Sequence, residues 1–240
     1  MKVTTRPNLA SSSAGLQGPR LPRRPPRRDE IATATIEVLK SGGPSKADLL
    51  VVDVGEGPLV VKDFAAKSWW GRLLGRFLVR REVRAYRWLG ETPGVPRLVG
   101  RVDAHALALE RIEGMMLFPA EHHRDDAEIL LPRIRALVDR LHATGLAHLD
   151  LNRQNLMRTA DDDIMAVDLA GAVWFRPGGL WHRWLFRLFA AADETAYLKW
   201  KARLTPGSLD PEEERRFRRL RAARALWPFN RKSSRPNRKF

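Results

Sequence analysis

The chain has no cysteine, which excludes a disulfide framework and any thiolate chemistry; a reducing cytoplasm suits that composition. It also lacks long hydrophobic runs. No stretch approaches about eighteen uncharged apolar residues, so no transmembrane helix is expected. No apolar segment precedes the first prolines and arginines, so no secretory signal is expected either. Acidic charge is in short supply: 28 Asp and Glu face 43 Lys and Arg, for a net charge of +15 over 240 residues.

That excess first suggests a nucleic-acid partner, but its distribution argues against one. Residues 1–30 carry seven basic against two acidic residues, and residues 211–240 carry eleven against three. The stretch between them is nearly neutral, with 25 against 23. A near-neutral domain with two basic arms suits an anionic surface, and no stacking platform or groove-reading motif accompanies the charge. Hydrophobic residues make up 44% of the chain, enough for one core or two small lobes.

Residues 1–30 combine three serines at 11–13 with LPRRPPRR at 21–28, a proline density that predicts a disordered basic arm. Short strand patterns follow at 34–40, 48–54 and 58–64, separated by SGGPSK and GEGP, as in an antiparallel meander. Residues 70–90 read as a helix with Leu74, Leu78, Tyr86 and Leu89 on one stripe and Gly90 at its end. Two further strands are expected at 96–103 and 105–112. A helix over 127–144 would bury Ile129, Leu130, Ile134, Leu137, Val138 and Leu141, and Gly145 would end it. IMAVDLA at 164–170 reads as a buried strand, and helical stretches at about 179–203 and 210–226 follow. Five strands with one helix, then a mostly helical half, is a two-lobed α+β order.

Residues 148–157 read HLDLNRQNLM. They fit H-x-D-L-x-x-x-N, the catalytic-loop pattern of protein kinases, with Asp150 as base and Asn155 as metal ligand. Thirteen residues on, Asp168 follows the apolar IMAV run. Upstream, Lys62 sits on the third strand and Glu82 on the helix after it. Phosphoryl transfer from ATP is mainly positioning and charge neutralisation, and these residue types supply it. A lysine held by a glutamate can fix the phosphates. An Asp carboxylate and an Asn carbonyl suit Mg²⁺, and a second carboxylate can take the acceptor hydroxyl's hydrogen bond. Each residue alone has a plainer reading: Lys62 on a solvated strand face, Glu82 in an i,i+4 pair, Asn155 and Asp168 in turns. Five in register favour the chemical reading. His148 is expected to support the loop rather than transfer protons.

Over about residues 34–205 the chain resembles the protein-kinase-like superfamily. More narrowly it resembles the small bacterial lipopolysaccharide-core (heptose and Kdo) kinases and the RIO-type group. The narrower likeness rests on LLVVDVGEGPLVVKDF, GRFLVRREVRAYRWLGETPGVPRLVGR, LALERIEG, GLAHLDLNRQNLM and IMAVDLAGA. The resemblance implies a two-lobed kinase-like fold: an arm at 1–30, an N-lobe at 31–113, a minimal C-lobe at 114–205 and a basic helix and tail at 206–240. It implies an ATP- and Mg²⁺-dependent phosphotransferase. Its acceptor would be a hydroxyl of a lipopolysaccharide-core sugar or other envelope glycolipid, at the inner face of the cytoplasmic membrane. A protein serine or threonine acceptor and a non-catalytic pseudokinase scaffold are the alternatives.

Departures from the protein-kinase pattern are informative. Leu149 stands where an arginine commonly reads an activation-loop phosphate, Asp168-Leu169-Ala170 replaces Asp-Phe-Gly, and no Ala-Pro-Glu follows. Only 72 residues follow Asp168, so control by activation-loop phosphorylation is not expected. SGGPSK offers Gly42 and Gly43 as nucleotide cover but lacks G-x-G-x-x-G. Finally, WFRPGGLWHRWLFRLF at 174–189 puts Trp181, Trp184, Leu185 and Leu188 on one helix side. This is either a core helix or an interfacial one, with arginines for lipid phosphates; LRAARALWPF and the last ten residues repeat that chemistry.

Overall fold

The computed structural model describes residues 24–151, 154–179 and 182–225. Most of the expected arm, Trp181 and the last fifteen residues lie outside these. The chain enters through helix α1 (Arg28–Ala34), which overlaps the end of the expected arm. Arg28 binds the carboxylates of Asp63 and Asp103, partners 35 and 75 positions away. A proline- and arginine-rich run cannot advertise those partners, so the helix was not expected.

Strands β1 (Thr35–Lys40), β2 (Asp48–Asp53) and β3 (Pro58–Asp63) form the meander. The β2–β3 turn closes because the Asp53 side chain accepts the amides of Gly55 and Gly57, both at positive φ. Helix α2 (Trp69–Leu89) follows, capped by the Ser68 hydroxyl. Strands β4 (Leu98–Arg101) and β5 (Ala106–Glu110) then complete a five-stranded antiparallel sheet in the order β1-β2-β3-β5-β4.

Alternation along the sheet divides the apolar residues between two cores. Leu59, Val61, Ala106 and Ala108 pack with Ile31 of α1 on one face. Leu107 and Leu109 face α2 on the other and join the larger core. That core continues into helix α3 (Ala127–Ala143), which ends where Gly145 takes φ 79° against the Phe175 carbonyl. Helix α4 (Arg187–Leu204) closes it through Trp200 and Leu204. Strand β6 (Gly114–Met116) pairs with β8 (Leu156–Thr159), β8 with β9 (Ile164–Ala166), and β7 (Leu146–Ala147) with β10 (Val173–Trp174). Helix α5 (Pro211–Ala225) is tied back to α4 by the Lys201–Glu213 ion pair. Five α-helices among the described residues and a five-stranded antiparallel sheet make a mixed α+β fold compatible with a kinase-like one.

Several expectations need correction. Leu74 and Ile129 are exposed, not on core stripes. The buried face of α2 instead runs through Gly75, Val79, Glu82, Val83, Tyr86 and Leu89. Gly75 is required there because a Cβ would lie 2.4 Å from the Phe64 ring. The strand expected at 164–170 ends at Ala166, and Asp168 adopts left-handed backbone. A π-helical turn at His182–Phe186 precedes α4, where Trp184, Leu185 and Leu188 are exposed rather than core.

Candidate active site

Lys62 lies opposite Leu107 in the β3–β5 ladder, so it points to the α2 side of the sheet. Glu82 arrives there from the inner face of α2. The Lys62 ammonium donates to both Glu82 carboxylate oxygens at 2.8 and 2.7 Å, and to Asp168 Oδ1 at 2.9 Å. Lys62 is 9% exposed and Glu82 2%, whereas the Asp168 side chain is half-exposed. Burial works against the Lys62 charge, but the two carboxylates outweigh it and raise the lysine's pKa. Burial raises Glu82. For Asp168 partial burial is outweighed by Lys62, which holds the carboxylate below its usual range.

Asp168 occupies φ 67°, a conformation costly for a non-glycine residue, and its own side chain accepts the Ala170 amide. Arg81, beside Glu82 on α2, donates to the carbonyls of Gly171 and Ala172 at 3.2 and 2.9 Å. The helix thus grips the segment after Asp168 at two points.

The HLDLNRQNLM loop is described except for Asn152 and Arg153. His148 is fully buried; its Nε2–H donates to the Val167 carbonyl at 3.2 Å, leaving Nδ1 to accept the Asp150 amide at 3.4 Å. Burial lowers its pKa, despite Asp193, Asp150 and Asp168 nearby. Asn155 donates through Nδ2 to the Asp150 carbonyl at 2.8 Å and to Asp150 Oδ2 at 2.9 Å. With the amide nitrogen committed, Oδ1 is the side chain's remaining acceptor, the atom a hard cation would use. The Asn155 carbonyl also accepts the Val167 amide at 3.0 Å, joining this loop to the Asp168 segment. Of the three leucines expected to anchor this loop, Leu151 and Leu156 are buried, whereas Leu149 is only half-buried.

Two residues that sequence reasoning missed hold the loop from α4. Asp193, wholly buried, accepts the His148 and Leu149 amides at 2.8 Å each, and His142 Nε2 lies 3.0 Å from the same carboxylate. Trp200, seven residues on and on the same helix face, donates Nε1–H to the Leu151 carbonyl at 3.0 Å. The available signal was an acid on the apolar stripe Asp193, Ala196, Trp200, Leu204.

Gly42 and Gly43 sit in the β1–β2 connection. The Gly42 amide is committed to Asp48 Oδ1 at 2.8 Å and its carbonyl to the Lys67 ammonium at 2.9 Å. The Gly43 carbonyl accepts the Lys46 amide.

The donor chemistry fits a hard divalent cation. Glu82 and Asp168 share the single ammonium of Lys62, so a cation beside Asp168 is electrostatically favourable. Among the described residues no group of three or more His, Cys, Asp or Glu could form a metal cage. One Asn oxygen and one Asp carboxylate, with the other positions left to water and phosphate, suit Mg²⁺.

No family model matches the chain. Among curated proteins it is 30% identical over 172 residues to a probable myosin light chain kinase of Dictyostelium discoideum, covering 62% of this chain and 55% of that protein. The chain therefore spans about half the length of the curated relative it matches. The likeness points to a protein-kinase-like relationship and, in general terms, to phosphotransfer.

Proposed function

We propose that the chain is an ATP- and Mg²⁺-dependent phosphotransferase acting on a hydroxyl, with a two-lobed kinase-like arrangement over residues 31–113 and 114–205. The observation that carries this reading is the Lys62–Glu82–Asp168 cluster, assembled from β3, α2 and a segment 106 residues beyond the lysine. Burying a lysine against two carboxylates carries a desolvation cost that an apolar pair would avoid, and perturbed ionisable groups of this kind concentrate at functional sites.

Bound Mg²⁺ would neutralise charge on the phosphates of ATP, which supplies the transferred group. Lys62, oriented by Glu82, would hold the phosphates. Asn155 Oδ1 and the Asp168 carboxylate would hold the metal. Asp150 would accept the acceptor hydroxyl's hydrogen bond and then its proton. Gly43, whose neighbour is tied to Asp48, would be the closer of the two glycines to a covering role. The acceptor would be a lipopolysaccharide-core sugar or related envelope glycolipid, at the inner face of the cytoplasmic membrane. The basic segment 206–240 would contribute to holding the protein there.

A protein acceptor is the second reading, favoured by the relative's name as a probable protein kinase. The pseudokinase reading draws on the committed Gly42 amide. Incubation with labelled ATP, membrane lipid extract and separated protein fractions tests all three. Label in the lipid fraction, lost in Asp150→Ala, supports the glycolipid reading. Label in protein alone favours the second reading; no transfer and no nucleotide binding sink phosphotransfer altogether.

A further inference from the structure

We propose that the outer face of α2 is a docking surface for an anionic lipid bilayer. Helix α2 is apolar on two opposite sides. One packs on the core through Gly75, Val79, Glu82 and Tyr86. The other carries Trp69, Trp70, Leu73, Leu74 and Phe77, all 41–63% exposed. At i and i+4 these five form two adjacent rows over the first two and a half turns, with the Trp69 and Trp70 rings stacked at 3.7 Å. Contiguous exposed apolar surface of roughly several hundred Å² is often functional, more so when polar or charged residues rim it.

Charge selects the occupant. Arg72, Arg76 and Arg80 form the next row beside the aromatic stripe, and Arg84 and Arg87 continue it. All five are exposed, and among the described residues none of them has a carboxylate partner. The helix holds six arginines and a single acid, Glu82, which is buried against Lys62. A second copy meeting this face would set arginine against arginine, so self-association is disfavoured. Indole and phenyl rings with flanking arginines match the headgroup boundary of an anionic membrane, where rings sit among acyl carbonyls and guanidiniums meet phosphates. The surface differs from the C-terminal one expected from sequence, and it needs no phosphotransfer to operate.

The test is cosedimentation of the full chain with vesicles of phosphatidylcholine alone or enriched in phosphatidylglycerol. The intact chain should bind the anionic vesicles, less so as salt is raised. Trp69→Ser/Trp70→Ser/Phe77→Ser should weaken that binding about tenfold or more. Arg72→Gln/Arg76→Gln/Arg80→Gln should weaken the preference for anionic over neutral lipid. Both variants alter exposed side chains, and unchanged far-ultraviolet dichroism and melting temperature confirm that they fold. Wild-type failure to bind, undiminished binding by the aromatic variant, or loss of binding with Trp184→Ala instead would each overturn the proposal. So would a sedimentation equilibrium showing that the aromatic variant abolishes a dimer. None of these readouts involves nucleotide, so the docking surface and the phosphotransfer reading stand or fall separately.

Discussion

Asp193 holds the Leu149 amide at 2.8 Å, and the leucine it holds sits at φ 66°, a left-handed conformation that β- and γ-branched side chains rarely take. The carboxylate's other oxygen takes the His148 amide. Asp193→Asn keeps one acceptor but turns an NH₂ toward an N–H donor. We expect a stability loss of about 2 kcal/mol in urea unfolding. In steady-state kinetics, kcat should fall about tenfold or more with little change in KM for ATP, because the loop rather than the nucleotide is displaced.

Removing Lys62 leaves Glu82 buried without its cation. Lys62→Met should cost roughly 3–5 kcal/mol, and Lys62→Met/Glu82→Leu should recover most of it, since an apolar pair replaces the ion pair. Denaturant midpoints of the wild type, both single variants and the double give the coupling directly. Both variants should be inactive, which separates the pair's value to folding from its value to chemistry.

Asp150→Asn preserves an oxygen for the Asn155 amide but cannot take a proton from an acceptor hydroxyl. Its kcat should drop by about 10²–10⁴, with thermal stability altered by less than about 1 kcal/mol. An equally active variant would remove Asp150 from the mechanism.

His148 is buried and its pKa is lowered, chiefly by that burial. The unfolded chain takes up this proton near the ordinary value of about 6.5, the folded chain only at lower pH. Between those values the unfolded state holds more protons, so stability falls as pH drops, by at most about 1.4 kcal/mol per unit. Thermal melts below neutrality should show that slope, and His148→Gln should flatten it.

Nucleotide with Mg²⁺ should raise the melting temperature, equivalent to about 2.7 kcal/mol at a hundredfold excess over Kd. Chelation with EDTA should remove the metal-dependent part. Asp168→Asn should lose that part while still responding to nucleotide alone. A wild-type chain insensitive to both additions would favour the pseudokinase reading.

Much of this was legible because short-range chemistry fixed it. The GEGP turn between β2 and β3, Gly90 after α2 and Gly145 after α3 mark element ends by their residue type alone. The Lys62, Glu82, Asp150, Asn155 and Asp168 positions are singled out as candidates by order and spacing, and in the structure the first two contact Asp168 or each other and Asn155 contacts Asp150. What failed was choosing between faces. Helix α2 offers two apolar sides, and long-range contacts such as Gly75 on Phe64 and Glu82 on Lys62 decide which turns inward. Arg28 and Asp193 escaped for a related reason: their partners lie 35 to 75 positions away, and a charge shows its purpose only beside what it binds.

Helix α2 carries Glu82 on one side and the Trp69–Phe77 stripe on the other, and Arg81 grips the carbonyls after Asp168. At about 1.5 Å per residue it is a rod of roughly 30 Å with no proline to bend it. A partner seated on its outer side would therefore bear on the same rigid element that presents Glu82 to Lys62. Leu149 offers no guanidinium to read a phosphate of the chain's own; on the proposed reading, location at a lipid surface would take the place of covalent marking.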